Sequence, residues 1–236
     1  MNGSYSNVKG RNPAVICDFD DTTALENVAE LILKEFGGED WLDFKKQHGR
    51  RLITLKDYQE LAFLTVKASR DEMKNLVKER VHLRPQFKNL FEYCRSSQIP
   101  LAIASMGLDF YIEALLEREK MTSIPVFAAD TEFTPTGLKF TYRYTWSGCW
   151  QPGTCKCRIL RMYRDQGHSI LFAGDGKSDI CPASRSDIVF ARRFLEDHYK
   201  DSRLTYFPLL NFGTVLKVLQ NPLESQDNSE SDKTSD

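Results

Sequence analysis

The chain has 236 residues, 41 % of them hydrophobic and 11 % aromatic, with a formal net charge of −1. That length suits one large domain or a domain with a small accessory one, and near-neutrality supplies no field to gather nucleic acid or an acidic membrane surface. No apolar stretch nears the roughly twenty residues of a spanning helix. Met1-Asn2-Gly3-Ser4 lacks a signal-peptide apolar segment, and six cysteines in such a chain read as reduced thiols, so a cytoplasmic protein with no membrane partner is expected.

In chain order, residues 1–12 read as a short polar leader. The apolar run Ala14–Cys17 is a buried strand, and Asp18-Phe19-Asp20-Asp21-Thr22 follows it directly. Residues 23–84 read as helical throughout. Leu25, Val28, Ala29, Ile32, Leu33 and Phe36 share one face, and Gly37-Gly38 stops that helix. Leu55–Ala68 and Asp71–Val81 are further helices, and Pro85 marks the return to the core. Phe87, Leu90, Phe91 and Cys94, then Tyr111, Ile112, Leu115 and Leu116, carry helical periodicity. Between and after them come short apolar runs at Pro100–Ala104, Val126–Ala128, Ser169–Ala173 and Ile188–Ala191, as in central parallel strands covered on both faces. Within 130–154, Leu138, Phe140, Tyr142 and Tyr144 alternate after the turn signal Pro135-Thr136-Gly137, which predicts a β-hairpin. Residues 224–236 carry no apolar side chain and read as a disordered acidic tail.

The pattern predicts an α/β, doubly wound parallel sheet with a helical cap inserted between the first and second strands and a small hairpin insertion. The expected division is a core of 13–22 and 85–223, a cap of 23–84 and the tail. Ligands of such sheets bind outside the carboxyl ends of the strands. There the sequence puts the paired acids Asp18 and Asp20, then Ser105 with a turn at Met106-Gly107 after it, then Gly174-Asp175-Gly176-Lys177-Ser178-Asp179, with Lys156 opening the helix before that last strand. Two carboxylates at the end of a buried strand are expensive to ionise unless a cation or a reacting phosphoryl group is near.

These four elements, in this order, resemble the four motifs of the haloacid dehalogenase superfamily of phosphohydrolases over about residues 13–220. The resemblance implies that Asp18 attacks phosphorus to form an aspartyl-phosphate, and that Asp20 protonates the leaving alcohol and then activates water. It implies that Ser105, Met106, Gly107 and Lys156 hold the phosphoryl oxygens; Lys177 is the alternative lysine. Mg²⁺ would be bound by Asp18, the carbonyl of Asp20, Asp175 and Asp179, with Asp175 the better direct ligand and Asp179 an orienting acid. The chemistry agrees. A carboxylate attacks an anionic phosphate only where positive charge screens it, and phosphoryl transfer is catalysed mainly by positioning and electrostatics. The retained acid Asp20 argues for a phosphatase over a dehalogenase, because an alkoxide must be protonated.

The helical cap resembles that of the phosphoserine phosphatase branch. Ser105–Tyr111, Cys149–Cys157 and Phe190–Arg193 are most similar to the methionine-salvage phosphatases of methylthiopentenyl phosphate. Glu26-Asn27 and Asp179–Pro182 also resemble the phosphoethanolamine/phosphocholine phosphatases. Met106 stands where a Gly is frequent, which narrows the pocket. Asn27 stands where phosphoserine phosphatases carry a substrate-binding Glu; Glu26 and Asn27 are the candidate substrate residues. The expected partner is a small phosphorylated metabolite, with phosphoserine, phosphoethanolamine, phosphocholine and thiamine monophosphate esters as alternatives. A phosphotransferase or mutase, or a non-catalytic phosphometabolite-binding protein, remains open. Cys149, Cys155 and Cys157 are expected to pack, with a structural metal or redox role as the alternative. The basic run Lys45–Arg51 reads as a solvated loop, or as groups that meet an anionic substrate. Trp41 and Phe44 read as cap packing, with stacking on a substrate as the alternative, and His82, His168 and His198 have no assigned role.

Overall fold

The computed structural model describes residues 12–134, 137–149 and 151–221. Most of the expected leader, the acidic tail, and Pro135 and Thr136 of the expected turn lie outside the described residues. Seven strands form one sheet: β1 (Asn12–Cys17), β2 (Leu101–Leu108), β3 (Val126–Thr134), β4 (Gly137–Thr141), β5 (His168–Gly174), β6 (Ile188–Ala191) and β7 (Phe207–Pro208). Their order is β4-β3-β2-β1-β5-β6-β7. All pairs are parallel except β3 with β4. Asn12, expected in the leader, instead opens β1 opposite His168.

The sheet is covered on both faces. Along β1, Val15 and Cys17 join one core with Phe87 and Leu90 of α5 (Phe87–Ser96), Tyr111 and Leu115 of α6 (Asp109–Arg118), and Val215 of α10 (Gly213–Gln220). Ala14 and Ile16 join the other, with Ile159 of α7 (Lys156–Asp165), Ala183 of the short α8 (Ile180–Ala183) and Leu195 of α9 (Arg193–Asp201). Such two-sided burial is why the strands read as short, continuous apolar runs rather than alternating ones.

The chain leaves β1 for β2 on one side and reaches β5 on the other, so a crevice opens at the carboxyl end of β1. The register fixes what meets there. Cys17 lies opposite both Ile103 and Ala173. Asp18, Ser105 and Asp175 therefore lie within a residue of one level.

Five α-helices lie between β1 and β2: α1 (Val28–Phe36), α2 (Trp41–Gly49), α3 (Leu55–Leu64), α4 (Arg70–Arg80) and then α5 against the sheet. The starts of α1, α3 and α4 are capped by side chains. The Asn27 side chain accepts from the Glu30 N–H, and Thr54–Asp57 and Ser69–Glu72 form capping boxes. The two connections to the sheet run side by side, tied by Leu25 N–H to His82 O at 2.9 Å and Arg84 N–H to Thr23 O at 2.8 Å.

Several boundaries differ from the sequence expectation. Leu25 precedes the Asn27 cap and is 41 % exposed, so it is not on the apolar face of α1. The third helix stops at Leu64 rather than Ala68, because the Thr65 hydroxyl donates back to the Ala62 carbonyl at 2.6 Å. The basic run is not a loop at its start: Lys45–Gly49 lie on α2. Trp41, at the start of α2, is buried in the main core cluster, and Phe44 is half-buried. The second strand runs on to Leu108, and its register with β3 shifts between Ala104 and Leu108. Ser105, Met106 and Gly107 thus sit on a bulged strand, not in a turn after it; bulges commonly re-aim side chains at sites. The predicted hairpin is β3–β4, but β4 ends at Thr141. Tyr144, past its end, packs edge-on against Phe127 at 5.0 Å.

Candidate active site

The loop Phe19–Thr23 turns sharply out of β1. Asp21 takes φ +59, a left-handed conformation that Asp tolerates better than most residues. Buried Arg84 holds this loop, donating from Nε to the Thr22 carbonyl and from Nη2 to the Asp21 carbonyl, both at 2.6 Å. The Thr23 hydroxyl donates to the Asp18 carbonyl at 2.6 Å. Asp21 itself pairs with Arg193 and accepts from Asn27 Nδ2 at 3.1 Å.

Lys156, at the start of α7, is buried between two acids. Its Nζ lies 2.7 Å from Asp18 Oδ1 and 2.6 Å from Asp179 Oδ1. Burial alone would lower its pKa, but the Asp179 and Asp18 carboxylates overcome that and raise it, so it stays charged. The other Asp179 oxygen accepts from the N–H groups of Asp175 and Gly176, each at 2.9 Å. Gly174 is required by this packing, since a Cβ there would meet Asp179 Cγ at 2.6 Å.

Asp18, Asp175 and Asp179 each offer an oxygen within 4.8 Å of the others. Burial, and then the Asp179 charge, raise the pKa of Asp18; burial and Asp179 also bring Asp175 to about 7. Three crowded carboxylates, offset by Lys156 and, at 3.7 Å from Asp175, by Arg193, make an all-oxygen donor set that fits a hard divalent cation such as Mg²⁺.

Asp20 is held differently. Its Oδ1 accepts from the Val28 and Ala29 N–H groups at the start of α1, at 2.7 and 3.3 Å, and its Oδ2 accepts from the Tyr111 hydroxyl at 2.9 Å. Burial raises its pKa to about 6 against the opposing pull of Tyr111 and the two backbone donors. A carboxyl poised there can give or take a proton near neutrality. Gly107 leaves room for the contact: a Cβ at that position would lie 1.8 Å from the Tyr111 hydroxyl.

Asp18, Asp20, Ser105, Met106, Gly107, Lys156 and Asp175 all line one cavity of about 290 Å³, roofed by cap residues of α1, α2 and α3. Ser105 Oγ accepts from the Gly107 N–H at 2.9 Å, so that backbone donor is already engaged. Lys177 lies instead over the Phe194 ring, 5.1 Å from its centroid, which leaves Lys156 as the lysine at the carboxylates. Asn27 lines the cavity, whereas Glu26 is turned to His82, bonding its backbone N–H at 2.9 Å and its ring at 3.0 Å. All six cysteines are unbridged; Cys155 and Cys157 are buried, and Cys157 Sγ lies 3.1 Å from Cys181 Sγ.

A family model described as haloacid dehalogenase-like hydrolase matches residues 15–184. The chain belongs to this family. It is 26 % identical over 212 residues to a 2-hydroxy-3-keto-5-methylthiopentenyl-1-phosphate phosphatase of Brevibacillus brevis, covering 87 % of this chain and 94 % of that one. A protein of the same name from Lysinibacillus sphaericus is 28 % identical over 224 residues, covering 90 % and 96 %. Among solved structures, a hydrolase of the family from Salmonella enterica serovar Typhi superimposes with a TM-score of 0.70 at 15 % identity, over 90 % of this chain and 72 % of that one. A phosphoserine phosphatase solved as a phospho-aspartyl intermediate analogue gives 0.65 at 13 % identity, over 89 % and 98 %. Family and relatives together make this haloacid dehalogenase-like chain a phosphoric monoester hydrolase.

Two residues of the site escaped the sequence reading. Tyr111 reads as one more apolar position of an amphipathic helix, and its phenol, four residues after Gly107, was the only signal. Arg84 was visible as a lone arginine beside Pro85 at the edge of the apolar stretch Val81–Leu83, where a charged residue is seldom buried without partners.

Proposed function

We propose that the chain hydrolyses a small phosphate ester of a neutral, oxygen-bearing alcohol, and that its substrate is of the kind its relatives' names give, 2-hydroxy-3-keto-5-methylthiopentenyl-1-phosphate. An Asp18 oxygen attacks phosphorus, and the bond to the alcohol breaks as Asp20 gives it a proton. Asp20 then takes a proton from water, which attacks phosphorus and releases phosphate, restoring Asp18. Ser105 and Lys156 hold the phosphoryl oxygens. Mg²⁺ would be held by Asp18 and Asp175, and when bound it supplies positive charge that offsets the phosphoryl oxygens. Asp179, with both oxygens engaged, orients Lys156 and the Asp175 loop.

The observation that carries the choice of alcohol is the charge balance of the roof. Its lysine, Lys45, lies 2.7 Å from Glu30, so the two neutralise one another. That pairing leaves little to hold both ends of phosphoserine. It also offers no second anchor of the kind a phosphosugar mutase needs. Six unbridged cysteines support a cytoplasmic setting.

The experiment is phosphate release from a panel of esters, with Mg²⁺ and with chelator, by wild type and Asp18→Asn. The panel holds the methylthiopentenyl phosphate, phosphoserine, phosphoethanolamine, phosphocholine and thiamine monophosphate. Metal-dependent turnover favouring the first, lost in Asp18→Asn, is expected. A preference for a cationic or zwitterionic ester would overturn the choice of alcohol. Binding without turnover in wild type would mark a phosphometabolite-binding protein.

A further inference from the structure

The roof of the cavity carries two polar groups that the protein itself leaves unused. Gln59 on α3 is 5 % exposed, and its Nε2 has no hydrogen-bond partner; the neighbouring Tyr58 hydroxyl is also buried without one. Both residues line the cavity that holds Asp18, Asp20 and Ser105. A buried amide or phenol that makes no bond is costly, and native proteins seldom keep such groups without a use for them.

We propose that Gln59 and Tyr58 form the subsite that reads the leaving alcohol, by donating hydrogen bonds to a carbonyl or hydroxyl oxygen borne near its phosphorylated carbon. The inference rests on the phosphatase reading above and extends it to named recognition groups. The amide nitrogen is a donor only, so it selects an acceptor oxygen. Burial, and then the Glu30 charge, push the Tyr58 hydroxyl up to about 12, which keeps it protonated and able to donate. Tyr58 is also held in place. His48 stacks on its ring at 5.7 Å with 12° between planes, and His48 Nδ1 is in turn bonded to the Ile53 carbonyl at 3.3 Å.

The rest of the roof is neutral or apolar. Lys45 is paired with Glu30, and Leu33, Leu55 and Phe63 add hydrocarbon surface, joined from the sheet side by Met106. The complementary ligand is therefore a neutral alcohol with an oxygen function near the phosphate and an apolar far end. A cationic head group would meet two donors there and no free acid, because Glu30 is already engaged.

The test compares two esters, dihydroxyacetone phosphate, which carries a ketone beside the phosphorylated carbon, and n-butyl phosphate, which carries none. Gln59→Leu keeps the volume and removes the donor. For the ketone ester kcat/KM is expected to fall roughly ten- to hundredfold, mainly through KM, and several-fold less for the alkyl ester. Tyr58→Phe should act in the same direction. The melting temperature of Gln59→Leu should equal or exceed that of wild type, since the amide nitrogen makes no bond to lose. Equal losses on both esters, no loss on either, or a clearly lowered melting temperature would each overturn the subsite. Wild type that releases phosphate from neither ester with Mg²⁺ would count against the phosphatase reading instead. Calorimetric binding of both esters to Asp18→Asn, with and without Gln59→Leu, then reads the subsite without turnover. Ketone selectivity that survives the Gln59 change there would also overturn it.

Discussion

Replacing Tyr111 by Phe removes one hydroxyl and keeps the ring, with its edge-on contact to Phe110 at 5.5 Å. What disappears is the 2.9 Å hydrogen bond to Asp20 Oδ2. A hydrogen bond to a charged group contributes about 1.5–3 kcal/mol. That bond favours the ionised carboxylate, so its loss raises the Asp20 pKa. At about 1.4 kcal/mol per unit, the rise is about one to two units, starting from about 6. Asp20 must carry a proton to release the alcohol, so kcat/KM falls as pH passes its pKa. In the variant that descending limb is expected about one to two units further toward alkaline pH, while the acid limb stays in place. The assay is kcat/KM for one phosphate ester from pH 4.5 to 9.5 at saturating Mg²⁺, for wild type and variant in parallel. Bound metal displaces both profiles alike, so the difference between them isolates the hydroxyl. A descending limb within a few tenths of a unit of wild type would refute the assignment of Asp20 as the acid, or of Tyr111 as its donor.

Gly107→Ala puts a methyl where the Tyr111 hydroxyl stands and should drive that residue off Asp20. Turnover should fall about tenfold or more, and urea unfolding should register a loss of about 1–3 kcal/mol; wild-type values for both would contradict the packing. Arg84→Met removes the buried donor of the Thr22 carbonyl and leaves the Asp21 carbonyl to Arg192. A loss of about 2–4 kcal/mol in chemical denaturation is expected, and unchanged stability would show that the loop does not depend on it. The pKa of Asp20 is raised from 3.8 to about 6 on folding. The native state therefore holds a proton that the unfolded chain gives up, and stability from this group is full below pH 4 and lost as pH rises through 6. In chelator, wild type should become less stable relative to Asp20→Asn across that window; a constant difference in melting temperature would sink the idea.

Much of the site was legible in the sequence because it is local. Asp18 and Asp20 follow an unmistakable buried strand, and Ser105 and Asp175 each come directly after an apolar run. A parallel sheet brings all such positions to one edge, so strand recognition alone sufficed to gather them. The expected starts at Leu55 and Asp71 fall within a residue of those of α3 and α4, whose capping boxes join partners only three residues apart.

What the sequence could not settle depends on contacts between distant segments. Residues 105–107 became a bulged strand rather than a turn because β3 pairs as far as Leu108, a register that no local signal encodes. Arg84 reaches back some sixty residues to the Asp18–Thr23 loop, and Tyr111 reaches ninety-one residues back to Asp20. Lys156 was distinguishable from Lys177 only once α7 placed it between Asp18 and Asp179. The unpartnered amide of Gln59 is invisible in a helix that reads as ordinary cap, since whether a polar group is buried and unmet is decided by everything packed around it. The sequence by itself determined which acids gather at the carboxyl edge of the sheet, because fixed strand ends are enough to bring them there. Tertiary structure alone decided the roof of the cavity, because packing fixes which side chains of α1, α2 and α3 turn inward and which of them are left without a partner.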